Sequence, residues 1–346
     1  MTIDALIPGD PRVERKFISV EEDITYHYML AKPNGEPKAA VLLLHGWPDL
    51  AMGWRYQVPY LLSLNLKVIV PDMLGYGQTS SPTDIEKYSL KRMSGHLAQL
   101  IRAETDSEEQ EQVLLGGHDW GAYLAYRLAM YYPNLIRGIF TFCIPFYPPE
   151  PVASSLEGVV RGNSRLRYML QLASPDAEEI VSRSPGHLAG FLRSLFGGVT
   201  SEGKPGFEIG VGVLEDRVEW VKESPLVGRD MMDLYVQEYT RNGINGPMNW
   251  YRTRDINAAE EVFLALAASQ SQGQEQSAFE LPMPAMIVMA GRDEALPPSL
   301  LDGQERHFPK GLLKKVIPES SHWVLIQCPE EVNQFIKEFV EGVLDL

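Results

Sequence analysis

Val113-Leu114-Leu115-Gly116-Gly117-His118-Asp119-Trp120-Gly121-Ala122 is the stretch whose reading decides the fold, together with the helical pattern Tyr123-Leu124-Ala125-Tyr126-Arg127-Leu128-Ala129 that follows it. The apolar run reads as a buried strand, the glycines as a sharp turn, and the remainder as a helix. Such a turn forces its central residue into a strained backbone conformation, and side chains on its flanks would strike the neighbouring strand. Asp119 is thereby lifted clear of the sheet, beside a helix N-terminus whose unpaired N–H groups favour negative charge. A serine at this apex must lose a proton before it attacks, whereas a carboxylate is an anion at neutral pH. It can displace a leaving group at a saturated carbon and form an ester, leaving a histidine free to activate the water that cleaves that ester. The bland alternative is an aspartate that caps the helix.

Two later segments supply partners. Ala285-Met286-Ile287-Val288-Met289-Ala290 is a continuous apolar run of the kind found in parallel strands buried on both faces, and it ends in Gly291-Arg292-Asp293-Glu294. Leu313-Lys314-Lys315-Val316-Ile317-Pro318 reads as a last strand, followed by Glu319-Ser320-Ser321-His322-Trp323. Nucleophile, acid and histidine thus come in the order Asp119, Asp293, His322, each past the carboxyl end of a strand, where open α/β sheets carry their sites. Asp293 would hold the His322 tautomer and steady the imidazolium. Glu294 is the weaker choice of acid because it lies one residue further into the loop. Upstream, Ala39-Ala40-Val41-Leu42-Leu43-Leu44 runs into His45-Gly46-Trp47-Pro48-Asp49. That turn can aim the Trp47 N–H at the spot reached by the Trp120 N–H, forming an oxyanion hole worth about 3–4 kcal/mol per donor in the transition state. His45 reads as a structural hydrogen-bonding residue, since His322 already stands at the base position.

The chain is organised as a core interrupted once. A β-hairpin is expected near 16–34, then alternating strands and helices up to Ile139-Phe140-Thr141-Phe142-Cys143, which implies a mostly parallel sheet flanked by helices. Pro145-Phe146-Tyr147-Pro148-Pro149-Glu150-Pro151 marks a linker. Short helices without a convincing strand follow to about residue 256, and a polar spacer, Ser269 to Ser277, precedes the return to the core. The expected division is core 1–146, helical cap 147–256 and core 257–346.

These motifs, spread in order over nearly the whole chain, resemble the α/β-hydrolase fold family and within it the epoxide hydrolases. The resemblance implies two cap tyrosines that receive the oxygen of the opening ring, a task suited to a phenol of pKa ~10. Asn245-Gly246-Pro247-Met248-Asn249-Trp250-Tyr251-Arg252 is similar to the motif carrying one of them, which implies Tyr251. Tyr168 stands where the other falls, with Tyr147 as substitute. There the usual aromatic-Gln-Glu-Pro-Gly continuation is replaced by Leu172-Ala173-Ser174-Pro175-Asp176, in which only the proline register is kept. Tyr235 and Tyr239 fit as packing residues of a helix. The implied reaction converts apolar epoxides, lipid-derived or aromatic, to vicinal diols through an ester on Asp119, in a pocket lined by Trp47, Trp120, Tyr168, Tyr251 and Trp323 and fringed by Trp250. A haloalkane dehalogenase shares the aspartate nucleophile, but halide has no use for the Asn-Trp-Tyr motif. A non-catalytic ligand-binding protein on the same scaffold is the remaining alternative.

Composition is consistent with this reading and excludes others. The 346 residues, 45% of them apolar, suffice for a large core with an insertion. Net charge of −15 without a basic cluster argues against nucleic acid and anionic membranes as partners. Cys143 and Cys328 offer neither a disulfide framework nor metal spacing, and each reads as a buried thiol. His27, His96, His187 and His307 read as structural or surface residues, and Gly75-Tyr76-Gly77 and Gly210-Val211-Gly212 complete no dinucleotide fingerprint. No metal or organic cofactor is expected. The expected partners are a small apolar epoxide and water, for a cytoplasmic monomer or homodimer without signal peptide or membrane insertion.

Overall fold

The computed structural model describes residues 3–105, 112–150, 152, 154–271 and 279–344. The chain opens on the expected hairpin, β1 (Glu14–Glu21) and β2 (Ile24–Ala31), paired antiparallel. Next come β3 (Ala39–Leu44), α1 (Gln57–Ser63), β4 (Leu66–Pro71), α2 (Leu90–Thr105), β5 (Val113–His118), α3 (Trp120–Tyr131) and β6 (Ile136–Phe142). An insertion follows: α4 (Leu156–Gly162), α5 (Tyr168–Ala173), α6 (Pro175–Ser182), α7 (Pro185–Leu195), β7 (Phe207–Glu208), β8 (Gly212–Val213), α8 (Arg229–Asn242), α9 (Asn245–Arg252) and α10 (Arg254–Ser271). The chain closes with β9 (Ala285–Ala290), β10 (Leu312–Ile317), α11 (Val324–Gln327) and α12 (Pro329–Leu344).

Eight strands form one sheet in the order β1-β2-β4-β3-β5-β6-β9-β10, parallel from β4 onward. This is an α/β architecture. The apolar runs of β3, β5 and β9 bury on both faces, because α2 and α3 pack together as one helical layer while α1 and α12 pack together as another. The glycines of the elbow answer to contact. A Cβ on Gly121 would lie 2.3 Å from the Leu44 carbonyl oxygen, and one on Gly117 would lie 2.6 Å from Ala122 Cα. α3 can therefore approach β3 closely only with glycine there.

In the insertion, proline begins helices as well as ending them. Ser174 and Ser184 each accept a backbone N–H of the helix they cap, and Pro175 and Pro185 open α6 and α7. The hairpin β7–β8 is a departure from the expected all-helical cap. Its strands are two residues long, too short for periodicity to register. The polar spacer is partly helical, since α10 runs through Ser271, while 272–277 and Pro151 of the linker lie outside the described residues.

The insertion is fastened to the core by polar contacts. The Trp250 indole donates to the Leu74 carbonyl at 2.9 Å, Asn242 Nδ2 to the Gly77 carbonyl at 2.7 Å, and the Trp323 indole to the Leu195 carbonyl at 2.8 Å. Arg127 of α3, fully buried, donates to both carboxylate oxygens of Glu261 on α10 at 2.9 Å, to the Tyr147 carbonyl at 2.8 Å and to the Tyr123 hydroxyl at 2.9 Å. Cys143 is buried, whereas Cys328 is only half-buried, beside the start of α12. Among the described residues no helix is long and apolar enough to cross a membrane.

Candidate active site

Asp119 follows β5, Trp47 follows β3, Asp293 follows β9 and His322 follows β10, so the sheet order gathers them at one edge. Asp119 adopts φ 52°, the strain anticipated for the apex of the turn. Its side chain makes no capping bond to α3, which removes the helix-cap alternative. Instead the carboxylate is divided between two partners. Oδ1 accepts the Trp47 N–H at 2.8 Å, and Oδ2 lies 3.3 Å from His322 Nε2. Burial pushes the Asp119 pKa up, but the His322 hydrogen bond and charge and the Trp47 N–H outweigh it and hold the group below the ordinary carboxylate range. The Trp120 N–H heads α3 and has no partner among the described residues, so it is available beside the same carboxylate.

His322 Nδ1 is 2.6 Å from Asp293 Oδ2, while Asp293 Oδ1 accepts the N–H groups of Ala295 at 2.9 Å and Leu296 at 3.0 Å. Asp293 is buried and Glu294 exposed, so the acid facing the histidine is Asp293. Burial depresses the His322 pKa, yet the charge of Asp293 and the hydrogen bonds to Asp119 and Asp293 raise it to about 10.

The cap tyrosines are Tyr168, at the start of α5, and Tyr251, on α9, both near enough to feel the Asp119 charge. Their rings meet edge-on at 6.2 Å, and Tyr251 touches Trp47 at 5.4 Å and Trp120 at 5.3 Å. Burial chiefly raises the pKa of both phenols, helped by the charges of Asp119 and Asp293 at Tyr168 and by Tyr168 and Asp119 at Tyr251. It outweighs the lowering that Tyr168 gains from its hydrogen bond with Tyr251, so both stay protonated donors. Arg252 explains how the two helices stay in register. It donates to the Ala173 carbonyl at 3.1 Å, at the end of α5, and to Glu178 of α6 at 3.0 Å. Tyr147 is 38% exposed and packs on Tyr123 at 6.3 Å; Tyr168 is the one in contact with Tyr251. Trp323 packs on Phe196 at 4.1 Å and meets the His322 ring at 5.8 Å. Trp250 is an anchor, its indole N–H spent on Leu74.

Some contributors were not legible beforehand. His118 Nε2 is 2.9 Å from the His322 carbonyl oxygen, and the Cys143 thiol donates to that oxygen at 3.3 Å. His118, Cys143 and His322 form the one metal-like grouping among the described residues. His118 Nε2 and Cys143 Sγ are engaged with the His322 carbonyl and the His322 ring with Asp119 and Asp293, while His118 Nδ1 has no partner among the described residues. Phe207 of β7 packs against Trp47 at 6.2 Å and Tyr168 at 5.8 Å, which makes it an aromatic wall of the site. Tyr235 and Tyr239 are buried on α8, as packing residues would be. Their hydroxyls also bond across to the core, Tyr235 to Asp49 and Tyr239 to the Pro48 carbonyl at 2.8 Å. His45 is structural, with Nε2 accepting the Met73 N–H at 2.9 Å.

A carboxylate on an elbow, beside an acid–histidine pair on an eight-stranded sheet, defines a class, and the family model for the alpha/beta hydrolase fold matches residues 39–329. The chain belongs to that family. Within it, the chain is 52% identical to epoxide hydrolase srdG of Neurospora crassa, over 99% of its own length and 100% of the relative. It is 27% identical to bifunctional epoxide hydrolase 2 of Mus musculus, over 97% of its length but only 57% of that protein. Among solved structures, epoxide hydrolase A of Mycobacterium thermoresistibile superposes with a TM-score of 0.76 at 24% identity, covering 95% of this chain and 98% of the other. The chain is thus one of the epoxide hydrolases of the fold, and the dehalogenase reading is not favoured.

Proposed function

We propose that this enzyme opens apolar epoxides to vicinal diols in two steps, with Asp119 as nucleophile. The observation that carries the proposal is the convergence of Tyr168 and Tyr251 over a carboxylate already divided between a backbone donor and a histidine. Asp119 Oδ2 attacks a ring carbon; the C–O bond breaks, the tyrosine hydroxyls stabilise and protonate the alkoxide, and a hydroxyalkyl ester forms. Esterification removes the Asp119 charge, which is one support of the raised His322 pKa. The imidazolium therefore becomes more acidic at that point, releases the proton that restores the tyrosine, and is left neutral as base for the second step. Water then attacks the ester carbonyl carbon while the Trp47 and Trp120 N–H groups receive the oxyanion. His322, with Asp293 behind it, keeps one proton of that water, and the other goes to the departing alkoxide as the intermediate collapses, so a neutral diol leaves and the Asp119 carboxylate and His322 imidazolium are restored.

The aromatic lining by Trp47, Trp120, Phe207, Tyr168 and Trp323 supports apolar substrates, lipid-derived or aromatic. We take the cap as 147–256, with α10 (Arg254–Ser271) straddling its second boundary and joined through Glu261 to core Arg127. A cytoplasmic monomer or homodimer suits such an enzyme. The test is a single turnover of a styrene-type epoxide by excess enzyme in heavy-oxygen water. Label in Asp119 and an unlabelled diol are expected. A labelled diol with unlabelled Asp119 would mean direct attack by water and overturn the proposal.

A further inference from the structure

The Trp47 N–H is one donor of the oxyanion hole, and its direction depends on the turn His45–Asp49 that carries it. One flank of that turn is pinned by the core. His45 Nε2 accepts the Met73 N–H at 2.9 Å, and its Nδ1 lies 2.9 Å from the Gly46 carbonyl oxygen. There is no slack around Gly46, whose Cβ would lie 2.5 Å from Asp119 Cβ. The other flank is different. Pro48 has no N–H to give, and within the turn the Asp49 N–H reaches back to the Gly46 carbonyl at 3.0 Å. On this flank the core takes hold two residues beyond the turn, where the Ala51 N–H donates to Asp72 Oδ1 at 3.0 Å. Within the turn itself the holds come from the cap: the Tyr239 hydroxyl on the Pro48 carbonyl at 2.8 Å and the Tyr235 hydroxyl on Asp49 Oδ1, which also accepts the Leu50 N–H at 2.8 Å. Both tyrosines sit on one face of α8, one helical turn apart and buried, with Tyr235 packed on Phe196 at 5.2 Å and Tyr239 against Tyr76 at 6.2 Å.

We propose that Tyr235 and Tyr239 are positioning residues for the hydrolytic half-reaction: they dock α8 onto the oxyanion turn and so hold the Trp47 N–H on the developing oxyanion. This rests on the reading of Asp119 as the ester-forming nucleophile. The two half-reactions depend on Trp47 unequally. In alkylation its N–H orients an oxygen that is losing charge, whereas in ester hydrolysis it receives an oxygen that is gaining a full one. Loosening the turn therefore falls on the second step.

The experiment uses the full-length enzyme as Tyr239→Phe and Tyr235→Phe, which keep the rings and delete only the hydroxyls. The control is Asn242→Ala, which removes an α8–core contact to Gly77 away from the turn. Each is mixed in excess with a styrene-type epoxide, quenched in acid at intervals, and followed by intact mass for the appearance and decay of the alkyl-enzyme. Adduct appearance should stay within about twofold of wild type, while decay slows about tenfold in each tyrosine variant, so that kcat and KM fall together. Asn242→Ala should alter neither step by more than about twofold. Should Tyr235→Phe fail to fold because Asp49 is left buried, Tyr239→Phe, which loses a bond to a neutral carbonyl, decides the matter. Decay at the wild-type rate in a folded tyrosine variant, or equal slowing in Asn242→Ala, overturns the proposal while leaving the nucleophile assignment intact. Absence of any adduct in the wild type overturns both.

Discussion

Replacing Asp293 by Asn should separate the two half-reactions more sharply than any other single change. Asp293 Oδ1 is held by the N–H groups of Ala295 and Leu296, so the asparagine oxygen takes that place and its NH2 turns toward His322 Nδ1. Two donors cannot share that contact. Nδ1 becomes the acceptor, Nε2 keeps its proton, and the nitrogen facing Asp119 can no longer accept one from water. Charge is lost as well. A rise from 6.5 to about 10 amounts to about 5 kcal/mol of preference for the imidazolium, shared between Asp293 at 2.6 Å and Asp119 at 3.3 Å. Burial opposes the imidazolium throughout, so with Asp119 esterified Asp293 alone offsets that cost, and its loss removes at least half of the net preference, about 2–3 kcal/mol or a factor of at least about 10². Adding the wrong tautomer, ester hydrolysis should slow by about 10³–10⁴. Alkylation by Asp119 proceeds, because the tyrosines are untouched. Intact mass spectrometry after addition of epoxide should show near-stoichiometric adduct persisting for many wild-type turnover times, with Glu294→Gln turning over normally. Hydrolysis within about tenfold of wild type in the Asp293 variant, or failure to form any adduct, would refute the reasoning.

Three further outcomes are expected. Tyr251→Phe and Tyr168→Phe should each slow alkylation about 10²-fold in single-turnover kinetics, since each removes one donor to the alkoxide, with little change in melting temperature. Gly121→Ala should cost about 3 kcal/mol in urea unfolding, because its Cβ would lie 2.3 Å from one backbone carbonyl oxygen and 2.5 Å from a second. His322, with a folded pKa raised to about 10 against 6.5, contributes stability fully present below pH 6.5 and lost as pH rises through about 10. The melting temperature should thus fall across that window, and fall less in His322→Gln.

How much of this was legible depended on how local each constraint is. The elbow was readable because glycine is required on both sides of Asp119, and because three strands ending in Asp119, Asp293 and His322 follow one another in known chain order. Tyr251 was readable only through its motif, since nothing else distinguishes it among 15 tyrosines. His118 and Cys143 gave no signal, as they reach the His322 carbonyl from 204 and 179 residues away. The same holds for Tyr235 and Tyr239, whose helical spacing reports burial but not the backbone and carboxylate oxygens at the ends of their hydroxyls. The hairpin β7–β8 falls below the length at which alternation can be seen, so the sequence carries no signal that Phe207 walls the site.

Arg127 bears on how substrate enters. Its guanidinium grips the chain where it leaves the sheet, at Tyr147, and again on α10, at Glu261, so both strands of the passage into the cap are bolted to the helix that begins beside Asp119. Parting that pair would strand a charge in a dry interior at a cost of about 3–5 kcal/mol. The intact joint is favoured over the parted one by that amount, so lifting the whole lid free carries a cost that bending of the cap's outer helices about the joint avoids.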